Sequence, residues 1–218
     1  EGRGGTTAKV MDTQIKFHIN PTTQQICWEC APPTELVAAA KEHGLPLVVD
    51  QERFSLPLDR MSWQLAVASG LPAALPELLD YDWPGSAKPF HSQKITTSLF
   101  LGYTRAFSLS EMGTGKTRAA LYALDALRIA RAKQGLPTRA LIVAPLSTLV
   151  PVWKSEIDET FFGRLIPVVL HGTRRQRVER LVSIKWNVAI INHSGVATIW
   201  YELHSAKFDV VIIDDASA

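Results

Sequence analysis

The eight residues Ser110-Glu111-Met112-Gly113-Thr114-Gly115-Lys116-Thr117 constrain this chain more than any other stretch. A short apolar run, residues 106–109, precedes them, and a helical pattern from 117 to about 132 follows. Strand, glycine turn and helix, in that order, form the setting of a phosphate-binding P-loop. Gly113 and Gly115 permit positive φ, so the backbone can curl its N–H groups inward around phosphate oxygens. The helix N-terminus behind the turn adds unpaired donors and the positive end of its dipole. Met112 and Thr114 complete the cradle, Lys116 is the residue expected to reach the β- and γ-phosphates, and the Thr117 hydroxyl is expected to ligate Mg²⁺. The strict pattern opens with glycine, and Ser110 stands in that place. A plain glycine turn before an ordinary helix is the competing reading of this stretch alone.

A loop of this kind hangs from a parallel sheet. From residue 88 onward strands alternate with helices, which signals parallel pairing through crossover helices. Five apolar runs have strand length, near 106–109, 140–144, 166–170, 188–191 and 210–213. Helical patterns lie between them at 117–132, about 149–160, about 174–184 and about 196–204. The expected fold is therefore α/β, a P-loop type parallel sheet preceded by a small α+β segment.

That first segment reads differently. Residues 11–19 alternate, with Ile15, Phe17 and Ile19 on one side, and residues 25–30 return after the turn Asn20-Pro21-Thr22-Thr23, so a β-hairpin is expected. After Pro32-Pro33, Thr34 is placed to N-cap a helix over 35–43 that Gly44 stops. A strand around 47–49 and a helix over 61–69 follow. The prolines at 72, 76 and 84 make the stretch to residue 86 a connector. The predicted division is 1–86, a small acidic accessory segment, and 87–218, the nucleotide-binding lobe. Cys27 and Cys30 form a lone Cys-Trp-Glu-Cys with no second pair, and on a strand residues three apart face opposite sides. They are expected to be free thiols.

Charge is distributed unevenly. Residues 1–85 hold 6 Lys/Arg against 11 Asp/Glu, whereas 86–218 hold 17 against 10. A net positive lobe beside a P-loop leaves room for a polyanionic partner such as DNA or RNA. No run approaches the roughly 18 apolar residues of a membrane span, and the first residues, Glu1-Gly2-Arg3-Gly4-Gly5, show no secretory signal. A cytoplasmic protein without membrane partners is the expectation.

The last strand runs into Asp214-Asp215-Ala216-Ser217. Four β-branched residues, Val210 to Ile213, then an acidic pair, suit a buried strand that delivers carboxylates to the ligand-binding end of a parallel sheet. One carboxylate can hold Mg²⁺, and the other can orient or deprotonate an attacking water. Between the two motifs lies Leu141-Ile142-Val143-Ala144-Pro145-Leu146-Ser147-Thr148-Leu149, followed by Trp153 and Glu156-Ile157.

Taken in order, Met-Gly-Thr-Gly-Lys-Thr, Ala-Pro-Leu-Ser-Thr-Leu with Trp153 and Glu156-Ile157, and Ile-Ile-Asp-Asp-Ala-Ser resemble helicase superfamily 2. Within it the likeness is to the Swi/Snf-like branch and to related phage-type DEAD/DEAH-box helicases. It covers about residues 88–218. Leu170-His171-Gly172-Thr173-Arg174-Arg175 and Ile190-Ile191-Asn192-His193 are similar to segments of the same branch. The resemblance implies a first RecA-like motor lobe that ends just after motif II. It implies ATP and Mg²⁺, with Lys116 and Thr117 in motif I (Walker A) and Asp214 as the Mg²⁺ aspartate. Lys88-Pro89-Phe90-His91-Ser92-Gln93 resembles the adenine-sensing Q motif, with Gln93 as the adenine contact and Ser92 where His is common. Pro145, Ser147 and Thr148 resemble motif Ia, which touches the nucleic-acid backbone. Capping of the next helix by Ser147 or Thr148 explains the same residues equally well.

One departure bears on chemistry. Asp215 stands where the family has Glu, so the second carboxylate is withdrawn by one methylene. The resemblance further implies a second lobe C-terminal to residue 218, with an arginine finger and motifs IV to VI, and DNA as the partner. A protein partner for residues 1–86 and a location in the host cytoplasm, if the gene is a phage one, complete the expectations. The alternatives are a non-catalytic ATP-binding scaffold, with Asp215 marking lost hydrolysis, and another P-loop machine such as an AAA+ ATPase.

Overall fold

The computed structural model describes residues 15–20, 22–111, 113–183 and 185–215. The chain divides into two compact units, 1–76 and 77–218.

In the first unit, β1 (Phe17–Asn20) and β2 (Gln25–Trp28) form the expected hairpin, with Phe17 opposite Trp28. Asn20 Oδ1 accepts the N–H groups of Thr22 and Thr23, the local bond by which Asn favours turns. The part of the alternating run at 11–14 lies outside the described residues. Helix α1 (Thr34–Glu42) buries Leu36 and Ala40, one turn apart. Its N-cap position is Pro33 and no side chain caps it, so Thr34 is the first helical residue rather than the cap. β3 (Val48–Asp50) is followed by β4 (Arg53–Pro57), and the sheet order is β1-β2-β4-β3, antiparallel throughout. β4 escaped the sequence reading because Arg-Phe-Ser-Leu-Pro carries no β-branched residue and ends on proline. Its burial against β2 makes it a strand. Helix α2 (Arg60–Ala68) is capped by Asp59, whose carboxylate accepts the Ser62 N–H at 2.8 Å. Trp28 and Phe54 stack at 4.8 Å inside a core of Ile26, Leu36, Leu56 and Ala66. A single helical turn, α3 (Pro76–Leu79), falls where the two units divide.

The second unit is the α/β lobe. Helix α4 (His91–Gly102) leads through an irregular stretch to α5 (Lys116–Ala132). The parallel sheet contains β5 (Ala140–Ala144), then β6 (Pro167–Leu170), β7 (Val188–Asn192) and β8 (Val210–Ile213), in the order β6-β7-β5-β8. The crossovers are a helical segment ending in α6 (Ser155–Thr160), then α7 (Arg174–Ser183), and the pair α8 (His193–Thr198) and α9 (Trp200–Ala206). One helix was expected over 196–204. The structure breaks it at Ile199, which is fully buried with φ −130°, outside the helical range. β5 and β7 are buried at every position, as central parallel strands are. Alternate residues Leu141, Val143, Ala189 and Ile191 pack with Leu181, Ile199 and Leu203 on one face.

Two strand expectations need correction. Residues 106–109 form no strand, and Phe107 and Leu109 are exposed. Ala-Phe-Ser-Leu has no β-branched residue, and no sheet edge pairs with it, so nothing compensates the entropy of extending it. β8 was expected to be wholly buried. It is instead the edge of the described sheet, paired on one side with β5, and Val211 and Ile213 are exposed.

Residues 77–86, taken in the sequence for connector, pack within the second unit. Tyr81, Trp83, Tyr122 and Phe161 form a chain of edge-to-face ring contacts. At its heart Asp125 of α5 is fully buried, accepting the Tyr81 hydroxyl at 2.9 Å, Arg128 at 2.8 Å and Arg164 at 2.8 Å. Among the described residues, no helix is long and apolar enough to cross a membrane.

Candidate nucleotide site

The turn before α5 has the backbone its glycines predict. Gly113 and Gly115 take φ of +80° and +76°, in the left-handed region that side chains disfavour. A side chain at Gly113 would meet open space, whereas one at Gly115 would sit 2.2 Å from the Gln93 Nε2. The turn is thus open on the Gly113 side and closed against α4 on the other. Met112 lies outside the described residues. The 17-residue helix α5 begins at Lys116, so its unpaired N–H groups face the turn. The Lys116 ammonium folds back onto the loop, donating to the Ser110 carbonyl and, at 2.8 Å, to that of Glu111. The Thr114 hydroxyl donates to the Glu111 carbonyl at 2.9 Å and closes the turn.

Gln93 is not a solvated helix-start residue. It is 4 % exposed, and its Oε1 accepts the Phe90 N–H at 2.8 Å, capping α4. Thr97, one turn on, donates to the carbonyls of Gln93 and Ala119, at 2.8 and 3.1 Å. The structure therefore brings Gln93 against the glycine turn and ties α4 to α5. Its neighbour Phe90 is exposed.

Asp214 follows β8 at the carboxyl end of the sheet. Its N–H donates to the Val143 carbonyl at 2.8 Å, and its Oδ2 accepts the indole N–H of Trp153 at 3.0 Å. Asp215 is exposed with φ +56°, a conformation Asp tolerates better than most side chains. Thr117 supplies a hydroxyl and Asp214 a carboxylate, both hard oxygen donors of the kind Mg²⁺ takes. No group of three or more His, Cys, Asp or Glu side chains suited to a metal occurs among the described residues. A single carboxylate beside phosphate oxygens and water is the usual Mg²⁺ arrangement, so the donor set fits.

After β5, Pro145 opens a 3₁₀ turn (Leu146–Thr148), then a π-helical stretch (Leu149–Lys154), then α6. No side chain caps any of the three. Thr148 directs its hydroxyl back to the Pro145 carbonyl at 3.0 Å, so capping by Ser147 or Thr148 is not what these residues do. A helical turn that starts at Leu146 turns the Thr148 hydroxyl toward the carbonyl three residues back. Pro151 sits inside the π stretch, where its missing N–H removes an α-helical bond. Ser147 is exposed.

Three of the four arginines of α7, Arg174, Arg177 and Arg180, serve the fold. Arg177 donates to the Leu170 and Gly172 carbonyls and to Asn192 Oδ1, Arg180 to the Val169 and His171 carbonyls, and Arg174 pairs with Glu202. Cys27 and Cys30 are free thiols whose pKa values burial pushes up, away from reactive thiolates.

Three contacts were not read from the sequence: Arg118 with Glu156, Trp153 with Asp214, and the Asp125 cluster. Arg118 Nε lies 2.6 Å from Glu156 Oε1, and the Thr160 hydroxyl donates to that oxygen at 2.6 Å. Asp125 did leave a signal, since it is a lone acid within Ala-Ala-Leu-Tyr-Ala-Leu-Asp-Ala-Leu.

Comparison with known proteins bears on the family. Residues 109–218, half of the chain, match the SNF2-related domain. No curated protein matches the chain. Among solved structures it is similar to the Sulfolobus solfataricus SWI2/SNF2 ATPase core in complex with dsDNA, at 17% identity and a TM-score of 0.41. The match covers 62% of this chain and 33% of that one, so this chain spans about a third of its length.

Proposed function

This chain belongs to the SNF2-related domain family, an ATP-binding lobe of helicase and translocase type, and from that premise we propose that it binds Mg·ATP at the turn before α5. The observation that carries the reading is the glycine turn itself. Gly113 and Gly115 stand at φ +80° and +76° directly ahead of Lys116, with open space beside Gly113. Such a backbone directs N–H groups at an anion, and the start of α5 adds its dipole.

In this reading Lys116 exchanges its loop carbonyls for the β- and γ-phosphates, and Thr117 and Asp214 supply oxygens to Mg²⁺. The metal, when bound, neutralises charge that builds on the phosphate oxygens. Asp215 orients the water that attacks the γ-phosphate. Gln93 holds the turn against α4, next to the adenine end of the nucleotide. Pro145, Ser147 and Thr148, at the carboxyl end of β5, contact the backbone of DNA. Support for a polyanionic partner comes from the family and from the positive balance of residues 86–218. Hydrolysis coupled to movement along DNA is proposed for the whole protein. A second lobe supplies the arginine that stabilises the transition state, a contribution of about 10³–10⁵ in related NTPases.

Calorimetry of the chain with Mg·ATP tests the binding step. Lys116→Ala should weaken or abolish the heat of binding while leaving the melting temperature nearly unchanged, since among the described residues Lys116 hydrogen-bonds only its own loop. Equal affinity in the two proteins would refute the reading.

A further inference from the structure

The Trp153 indole and the Glu156 carboxylate occupy one helical segment, three residues apart, and reach opposite halves of the proposed nucleotide site. Trp153 is 2 % exposed and donates its N–H to Asp214 Oδ2 at 3.0 Å. Glu156 takes a two-point ion pair from Arg118, with Nε to Oε1 at 2.6 Å and Nη2 to Oε2 at 3.3 Å. Arg118 is the residue after Thr117. The segment that follows β5 thus holds both the strand end that carries Asp214 and the helix start that carries Thr117.

We propose that Trp153 is the positioning residue of the Mg²⁺ carboxylate, and that the Leu149–Lys154 stretch with α6 is the brace that sets Asp214 against Thr117. The inference rests on the nucleotide reading above. Three features carry it. First, an indole N–H is a donor and never an acceptor, so toward Asp214 it can only hold a carboxylate lone pair and cannot take the place of a metal-binding oxygen. It is also uncharged. A Lys or Arg in its place would neutralise Asp214 and compete with a cation, whereas Trp153 fixes the rotamer and leaves the negative charge intact.

Second, Asp214 is held twice, by its own N–H on the Val143 carbonyl and by Oδ2 on Trp153. Among the described residues no hydrogen bond engages Oδ1, which leaves that oxygen for a cation. Third, the segment is wound unusually where Trp153 emerges. Pro151 breaks the α-helical ladder, and the stretch takes the wider π turn, which rotates the residues after it relative to an ordinary α-helix. It follows that the stretch next to Pro145, Ser147 and Thr148 bears mechanically on both Mg²⁺ ligands, so a shift there is passed to the metal site.

The test measures Mg²⁺ rather than turnover. A fluorescent, non-hydrolysable ATP analogue is titrated into the chain in EDTA, and Mg²⁺ is then titrated into the complex. Loss of an outer-sphere partner lowers metal affinity about 10–100-fold in known sites. In Trp153→Phe the Mg²⁺ concentration for half effect should rise at least about tenfold, while nucleotide affinity in EDTA stays unchanged. The same shift is expected when β-(3-benzothienyl)alanine replaces Trp153, which keeps the ring shape and removes only the N–H. That replacement decides the matter if the Phe variant folds poorly. Asp214→Asn should show the larger loss, and adding Trp153→Phe to it should cost nothing further, because the two act through one oxygen. An unchanged Mg²⁺ response in the benzothienyl protein, or additive losses in the double variant, overturns the role of Trp153 and leaves nucleotide binding standing. A wild-type chain whose EDTA affinity is the same as that of Lys116→Ala overturns the nucleotide reading, and this inference with it.

Discussion

Replacing Asp125 by Asn removes a negative charge from a wholly buried position on α5 and keeps the side-chain size. Wild-type Oδ1 accepts Arg128 through Nε and Nη2, at 3.1 and 2.8 Å, and Oδ2 accepts Arg164 and the Tyr81 hydroxyl, at 2.8 and 2.9 Å. Asn retains one acceptor. Its amide NH₂ then faces donors, so one oxygen's worth of partners is lost, Arg128 loses its counter-charge, and Arg164 keeps only the exposed Asp82 carboxylate at 3.7 Å. Breaking a buried pair by removing one partner costs about 3–5 kcal/mol. Arg128 and Arg164 are 26 % and 24 % exposed, so water recovers part of their solvation and the lower end, about 3 kcal/mol, applies. At roughly 2–4 °C per kcal/mol for a chain of this size, the transition of the second unit should fall by about 6–12 °C. Circular dichroism melts of wild type and Asp125→Asn at neutral pH measure this directly. A drop under about 2 °C would show that the cluster contributes little and that α5 is held by its apolar face alone.

Two further outcomes can be measured on the same protein. Gly115→Ala forces a side chain into the left-handed region, at about 1–2 kcal/mol, and puts a carbon 2.2 Å from the Gln93 amide. It should lower the melting temperature and weaken nucleotide binding about tenfold or more, and the double variant with Gln93→Ala should recover part of the lost stability. A Gly115→Ala protein that melts and binds as wild type would contradict the close approach of α4 to the turn. Burial, and then the Asp125 charge, push the Tyr81 pKa above the ordinary value of about 10, so the folded state holds this proton more tightly than the unfolded chain. The stability this supplies is fully present below about pH 10 and is lost as pH rises beyond it. Tyr81→Phe should therefore show a shallower fall in melting temperature above pH 10, and an alkaline slope equal to that of wild type would count against the assignment.

The amino-acid sequence by itself determined the parts whose signal is local. The glycine turn needs φ that only glycine adopts cheaply, so Gly113 and Gly115 predicted their own backbone. The spans of β5, β8 and α5 followed from unbroken apolar runs and a 3.6-residue period, which the pairing and burial of this lobe preserved. Contacts between segments far apart in sequence were decided by the tertiary structure. Residues 106–109 look like a strand until an edge to pair with is sought. Arg-Phe-Ser-Leu-Pro at β4 looks like a loop until β2 lies beside it. Trp153 and Asp214 are separated by 61 residues, and Arg118 and Glu156 by 38, so no spacing rule joins them. Asp125 announced a buried charge without naming Tyr81 and Arg164 as its partners. Propensity acts over a few residues, whereas a hydrogen bond between segments exists only once packing brings donor and acceptor within about 3 Å, and that distance is set by the whole lobe.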